Sequence, residues 1–515
     1  MKTSSKESTT KKVKVNFRSF FLSIFSTIFI FGGSFLIYYF SKGYRIDVDG
    51  AITKTGVLTV QTEPSAVNLY INGDEIGRTP RSRTLNTGIQ YISLWKDGYR
   101  EWKKNVNIVE EKSTPIYPFL VFEKIEDTVL WESEKIMEKS WINKYSDYFV
   151  FLLKDSDTQY SLWTYKINPS LWDLNSNPVQ ILSLQTNNID LMLSPNGEVA
   201  ILEITTEIGV DNYLIELHEQ SILENLVSLD ISDLVGYEIS WAKDNRHILL
   251  ESEVDIISID TTRNIRYLLF KKSSPSDYIW STDELGFFYL IEPLHTEDDV
   301  TYMYALKQIK LDGTNTKYTI EKAYFQKNAE YIEYYRTNEE SCPEFTNSPE
   351  CTQTTGQIIY FEVNQNSNGV YIQTNTSSYW YDIIKNKYRM ISPYSAELIE
   401  FSPDSKKLLF TNGEDISVFT FEKEEEDHTE QIGSNNVDSL ISNTISNIQW
   451  LSNSSYLAYI KNNTLFISEK DGENEQDIIL MNNILLFSIK NSREHIVTLE
   501  TDIQGTPSII QYRIN

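Results

Sequence analysis

Ile399-Glu400-Phe401-Ser402-Pro403-Asp404-Ser405-Lys406-Lys407-Leu408-Leu409-Phe410 reads as strand, turn, strand. Apolar residues flank a Ser-Pro-Asp-Ser centre, whose residue types favour a tight reversal. The stretch is not unique in the chain. Segment 191–202 repeats it around Ser194-Pro195-Asn196-Gly197. Segments 239–250, 278–289 and 448–459 keep the frame, with Trp241, Trp280 and Trp450 at or beside the position of Phe401. Weaker copies begin near Trp141 and Phe487, and a further unit lies in 358–382, before Tyr379-Trp380-Tyr381-Asp382.

Copies recur roughly every 40–50 residues from about residue 124 onward, without helical patterning. That period, with one hairpin turn repeated, predicts a β-propeller of four-stranded blades over 124–515. About 390 residues at ~49 per blade give eight blades, with seven the nearest alternative. An array of β-sandwiches is the competing arrangement, although it requires neither a fixed period nor a shared turn. The fragment from Phe401 to Phe410 resembles the repeat of TolB-type and WD-repeat-like propellers. The Trp-Asp dipeptide and Gly-His pair of standard WD repeats are missing. The repeat tryptophans are expected to pack between blades, with ligand stacking as the alternative for one or two of them.

At the N-terminal side, residues 19–41 carry no charge. As a helix, Phe20 to Phe40 spans about 31 Å, the thickness of a bilayer's hydrocarbon core. Lys2, Lys6, Lys11, Lys12, Lys14 and Arg18 precede it against a single Glu7. The bias predicts a single-pass membrane helix with residues 1–18 as a cytoplasmic basic tail and the bulk of the chain extracytoplasmic. A cleaved signal peptide competes, but its apolar region is shorter and ends at small residues. Residues 42–55 read as a linker.

Residues 56–123 change character. Strands Val57–Val60 and Val67–Ile71 alternate in polarity, and Asn72-Gly73 marks a hairpin whose two central positions need φ > 0. Period two with Gly, Pro and Asn punctuation predicts a small antiparallel sandwich. The order Gly56, Pro64, Asn72-Gly73, Gly77-x-Thr79-Pro80, Gly88 and Gly98-Tyr99 resembles the PEGA domain, a family of β modules on bacterial and archaeal surface proteins. The namesake tetrapeptide is degenerate: Pro64-Ser65-Ala66-Val67 stands in its place, so the turn either avoids positive φ at Ala66 or carries strain there. The resemblance implies a surface interaction or spacer module and brings no catalytic residue.

The whole chain is thus expected to be all-β after one transmembrane helix. Its 515 residues carry a net charge of −27, which argues against nucleic acid as a partner. The first 18 residues hold six basic groups and one acidic group, leaving 40 Lys and Arg against 72 Asp and Glu, or −32, beyond them. There is no Gly-x-Ser-x-Gly elbow, no phosphate loop and no His-x-x-x-His pair, so no catalytic, cofactor-binding or metal-binding residue is assigned. His218, His247, His295, His428 and His495 are isolated, and the run from Glu422 to Glu430 reads as a solvated loop. Cys342 and Cys351 flank a Pro- and Asn-containing loop; a local disulfide and two separate thiols are both compatible with the sequence.

The expected function is that of a non-enzymatic, membrane-anchored binding or scaffold protein of the cell envelope. Its partners would be the lipid bilayer and an envelope protein or glycan. The alternative is an extracytoplasmic propeller hydrolase acting on glycans or peptides. A sensing role, with the basic tail engaging a cytoplasmic partner or anionic lipid, is a third reading.

Overall fold

The computed structural model describes residues 17–41, 44–46, 52–142, 148–167, 177–207, 209–218, 227–228, 236–272, 278–294, 301–326, 356–364, 366, 368–385, 387–422, 433–440, 445–480, 484–489 and 495–515. Cys342 and Cys351, Lys2 to Lys14 of the tail, His295, and Lys423 to Glu430 of the acidic run lie outside them. The chain divides into two compact units. One takes Met1–Trp95 and Lys103–Pro118, and the other takes Lys96–Trp102, Phe119–Lys423 and Gln431–Asn515.

The first unit opens with helix α1, Phe17–Ser41. Its segment Phe21–Tyr39 is long and apolar enough to cross a membrane. Phe25, Phe29, Phe31 and Ile37 lie exposed on all sides of it, as lipid-facing side chains do. Eight strands follow: β1 Tyr44–Ile46, β2 Ile52–Val60, β3 Asn68–Ile71, β4 Asp74–Arg78, β5 Arg81–Asn86, β6 Gly88–Trp95, β7 Trp102–Ile108 and β8 Ser113–Ile116. They form two sheets, β1-β2-β5 with β8 added beside β2, and β4-β3-β6-β7. Leu58, Val60, Val67, Leu69, Ile92 and Leu94 are fully buried and form the apolar interior of this unit.

Two details depart from the sequence reading. The sandwich is not purely antiparallel, because β8 runs parallel to β2, with Val57 opposite Ser113 and Val60 opposite Ile116. After β7 the chain crosses to the other sheet and arrives in β2's own direction. The crossing loop lies so close to Gly56 that a Cβ there would sit 2.2 Å from the Val109 carbonyl oxygen. Next, the segment read as a linker contains β1 and the start of β2, paired from Tyr44–Lys54 to Ile46–Ile52.

The second unit holds eight four-stranded antiparallel sheets among the described residues. We number them as blades 1 to 8: 137–184, 189–228, 238–271, 279–326, 358–392, 397–439, 445–480, and 484–513 completed by strand β9, Glu126–Glu132. Strand β9 pairs antiparallel with the last strand of the chain, Arg513 opposite Glu126 and Ser508 opposite Glu132. The two ends of the repeat region are thereby hydrogen-bonded into one blade. Each weak sequence copy is a genuine blade: Trp141 ends the first strand of blade 1 and Phe487 lies in that of blade 8.

Adjacent blades share apolar clusters all the way round. Leu152 packs with Leu202 (blades 1 and 2), Ile201 with Ile248 (2 and 3), and Leu249 with Phe288 (3 and 4). Tyr289 packs with Phe361 (4 and 5), Trp380 with Phe421 (5 and 6), and Val418 with Trp450 (6 and 7). Leu465 packs with Phe487 (7 and 8), and Val497 and Leu499 of blade 8 with Phe151 of blade 1. Eight interfaces for eight blades make a closed ring. A linear array of sandwiches would leave the last interface open. First strands of successive blades approach one another in blades 2 and 3, 4 and 5, and 6 and 7, which puts the first strands innermost.

The repeated hairpin sits between the first and second strands. Gly197, Asn245, Gly286, Ser405 and Ser454 occupy one equivalent position, at φ of 69°, 63°, 81°, 54° and 55°. Each donates its N–H to the carbonyl three residues earlier, as Gly197 to Ser194 at 2.8 Å and Ser405 to Ser402 at 2.8 Å. This is a tight turn closed by a left-handed residue, which explains the recurrent Gly, Asn and Ser at its end.

Candidate functional site

The turns between first and second strands gather on one face of the ring, and several bond to the next blade's turn. Asn196 N–H donates to Asn245 Oδ1 at 2.6 Å, Lys243 N–H to Thr282 Oγ1 at 3.0 Å, and Asp404 N–H to Ser454 Oγ at 3.0 Å. Asn245 and Ser454 serve two tasks, closing their own turn and accepting from the preceding blade. The tryptophans act similarly. Trp141 Nε1 donates to Asp190 Oδ1 at 2.9 Å, Trp241 Nε1 to the Met192 carbonyl at 2.9 Å, and Trp280 Nε1 to Glu251. Each of these bonds crosses a blade boundary, so the rings are braces within the scaffold.

Close to the axis, Lys243 of blade 3 reaches over blade 4 to Glu362 of blade 5, Nζ to Oε1 at 2.5 Å. Tyr360 donates its hydroxyl to the other oxygen of Glu362 at 2.5 Å. Ile359 and Tyr360 are exposed beside this bridge. The axial end of blades 3 to 5 therefore combines an aromatic ring, an apolar side chain and a fixed ion pair.

Polar groups on blades 3 and 4 are tied down. His247 opens the second strand of blade 3, and its Nδ1 lies 2.6 Å from Asp244 Oδ2, both side chains 10% exposed. Burial raises the Asp244 carboxyl, but hydrogen bonds from the His247 ring and from the His247 and Arg246 backbone outweigh it and hold that carboxyl below its ordinary value. Arg246 grips Asp260 with two bonds, Nε to Oδ1 at 3.0 Å and Nη2 to Oδ2 at 2.5 Å. That fork holds Asp260 far below the usual carboxylate range. Asp283, 1% exposed, accepts from Phe287 N–H at 2.9 Å and from the Tyr289 hydroxyl at 2.9 Å. The His247–Asp244 pair has the geometry of a base and its orienting carboxylate. Among the described residues no hydroxyl or thiol hydrogen-bonds the other ring nitrogen.

A second polar knot joins blades 6 and 7. Lys461 Nζ lies 2.8 Å from Asp438 Oδ2 and 2.9 Å from Glu475 Oε1, while Tyr459 donates to Glu475 Oε1 at 2.5 Å. Burial lowers the Lys461 ammonium, and the two carboxylates more than offset it, so its pKa is raised. Ile416, Val437, Ile445, Ile448 and Leu457 line the surrounding space. Sequence reasoning missed this knot because its three charged members come from two strands and a loop of two blades. Among the described residues no group of three or more His, Cys, Asp or Glu could hold a metal ion.

In the small sandwich, the motif residues form turns. Asn72 (φ 52°) and Gly73 (φ 89°) fill the β3–β4 hairpin, and Gly88 and Gly98 also take positive φ. Gly77, at φ 129°, leaves room for the Arg81 guanidinium, whose Nη1 lies 3.1 Å from where a Cβ would stand. Thr79 Oγ1 lies 2.5 Å from Thr62 Oγ1 and accepts from Val67 N–H at 3.1 Å, and Thr62 donates to the Pro64 carbonyl at 2.7 Å. The bonds before Pro64 and Pro80 are cis. Ala66 keeps φ at 60°, so the degenerate motif retains the left-handed turn with a side chain in place of Gly. Within the second unit, Tyr99 stacks on Phe122 with ring centroids 4.5 Å apart.

The family model described as "PEGA domain" matches residues 55–121. No curated protein matches the chain. Solved structures with a similar fold include a eukaryotic initiation factor (11% identity, 80% of this chain and 94% of that one, TM-score 0.41). They also include the WD40 domain of SCAP from fission yeast (10% identity, 76% and 98%, TM-score 0.40). A third is the β-propeller domain of the Trilobed protease from Pyrococcus furiosus (9% identity, 74% and 94%, TM-score 0.33). The propeller assignment here rests on the eight sheets and the ring of interfaces. The chain therefore carries an apolar helix fit for a membrane anchor or signal sequence, a PEGA domain at residues 55–121, and an eight-bladed β-propeller.

Proposed function

We propose that this chain is a non-catalytic binding scaffold of the cell envelope, held in the membrane by α1 with its N-terminus in the cytoplasm. In this reading the propeller presents a protein- or glycan-binding surface outside the cell. The observation that carries the reading is the closed ring itself. Its polar turns are braced blade to blade on one face, and the carboxylates described above are each held by fixed donors or cations. Such a site is preorganised to present a surface, and its charged groups are committed to the scaffold. The basic residues before α1 support the orientation.

The test is photo-crosslinking from Tyr360 and Lys406 in the full chain in its native membrane. One recurrent envelope partner captured from both positions fits the proposal, and no partner captured from either contradicts it. Turnover of a glycan or peptide substrate by the purified full chain, in a screen of cell-wall polymers, contradicts it and restores the hydrolase alternative.

A further inference from the structure

The β4-β3-β6-β7 sheet of the small sandwich has an outward face that the propeller reading leaves unexplained. Residues along β6 alternate: Ile92 and Leu94 point inward and are fully buried, while Ile89, Tyr91 and Trp95 are 73%, 42% and 46% exposed. Register places Asn68 beside Trp95 and Tyr70 beside Ser93. On the other flank of β3, Arg78 stands opposite Asn68 and Glu75 opposite Tyr70. Arg78 Nε donates to Asn68 Oδ1 at 3.2 Å, which steadies the guanidinium two strands from Trp95. Asn72 shares bonds with Gln90 at 2.7 Å and Tyr91 N–H at 3.0 Å, bringing an amide beside the second ring. Exposed Lys103 and Asn105 of β7 complete the face.

Size and chemistry select the occupant. Four strands about 4.8 Å apart and a β6 of eight residues give a face of about 14 by 23 Å, or roughly 300 Å². A stable protein partner needs about 800 Å² on each side. Tyr91 and Trp95 stand about 13 Å apart along the strand, with Tyr70 between them on the neighbouring one. Such a row suits a narrow linear polymer with flat apolar faces, and the flanking amides suit hydroxyl groups. Charge narrows the choice further. Residues 52–118 hold nine Lys and Arg against seven Asp and Glu, in a chain whose net charge is −27.

We propose that this face binds an acidic, uronate-bearing polysaccharide, with Tyr70, Tyr91 and Trp95 packing on sugar rings and Arg78 and Lys103 pairing with carboxylates. The inference stands apart from the propeller reading, since its residues belong to the other unit, and either can fail alone.

The experiment titrates the full chain in detergent with labelled oligogalacturonate and with a neutral cello-oligosaccharide, at low and high salt. Saturable binding of the acidic probe is expected, at least tenfold tighter than the neutral one and weakened by salt. Trp95→Ala and Tyr91→Ala should each weaken it about tenfold, and Arg78→Gln severalfold, with melting temperatures near the wild-type value. Trp95→Leu, which keeps apolar bulk without a ring, serves if Trp95→Ala misfolds and should show the same loss. No saturable binding, or ring variants that bind as the wild type does, overturns the proposal. Equal affinity for the neutral probe overturns the acidic assignment. Competition by anionic vesicles that depends on Trp95 overturns it in favour of the bilayer.

Discussion

Gly369→Ala offers a stringent test of how blades 5 and 6 are packed. Gly369 starts the second strand of blade 5, opposite Asp382. A Cβ there would lie 1.9 Å from Cζ2, 2.3 Å from Cη2 and 2.7 Å from Cε2 of Trp380. Carbon atoms prefer about 3.5–4.0 Å, so the indole would have to retreat by about 1.5 Å. It has nowhere to go. Trp380 is 2% exposed and stacks on Phe421 with centroids 3.9 Å apart and planes at 23°. Phe401 stands edge-on at 6.2 Å. Overpacking a well-filled core costs roughly 1–3 kcal/mol, and this contact belongs at the upper end. The assay is thermal and urea unfolding of the full chain in detergent, with Gly209→Ala as control. Gly209 has no atom within 4 Å of its added methyl, so the control should stay within about 0.5 kcal/mol of wild type. Trp380→Leu combined with Gly369→Ala should cost less than the sum of the two single changes, by about 1–3 kcal/mol. If Gly369→Ala melts with the wild type, the packing described for Trp380 is wrong.

Four further outcomes follow from particular contacts. Glu500 is raised above the ordinary glutamate value by burial, which outweighs hydrogen bonds from Thr498 and Tyr512. A carboxyl with a raised folded-state pKa destabilises the protein above that pKa, and the penalty disappears as pH falls to the unfolded value near 4.3. Glu500→Gln should therefore raise the melting temperature at pH 8 and make no difference at pH 4. Lys461→Met leaves Asp438 and Glu475 facing an apolar chain and should cost about 2–3 kcal/mol, with much of it recovered when both acids are also made apolar; chemical denaturation reads both. Ala66→Gly relieves a left-handed alanine worth roughly 1–2 kcal/mol, less the flexibility Gly adds to the unfolded chain, for a net gain of about 0.5–1 kcal/mol in thermal unfolding of the sandwich. Asn245→Ala loses both its bond from Asn196 N–H and its tolerance of φ 63°, and should lower stability by about 1–2 kcal/mol.

Local chemistry was the legible part of this fold. Ser194-Pro195-Asn196-Gly197 and Ser402-Pro403-Asp404-Ser405 announced their turns because a left-handed position demands particular residues. The repeat of that turn gave the propeller, and its spacing left seven or eight blades open. The count is settled by a pairing across the whole chain, β9 on Pro507–Arg513, and β9 carries none of the turn signal that marks a blade's start. Likewise, Gly56 could be recognised in the sequence, but the parallel arrival of β8 depends on a crossover that no local pattern encodes. The Asp438, Lys461 and Glu475 knot was invisible for the same reason. The outward alternation of Ile89, Tyr91 and Trp95 was present in the sequence, and only the burial of Ile92 and Leu94 showed which side of β6 faces out.

The closed ring itself is tested most directly by a cross-link at its seam. Thr128 of β9 stands opposite Gln511 of the last strand, separated by nearly the whole length of the propeller. With Cys342 and Cys351 replaced by Ser, the pair Thr128→Cys and Gln511→Cys in the full chain should oxidise to a disulfide under mild conditions, seen as a reducible gel shift and a linked tryptic peptide. Eight blades closed by β9 predict near-complete linkage, with none for a Thr128→Cys and Gln476→Cys control. Failure of the 128–511 pair to link in the folded protein would contradict the closed ring.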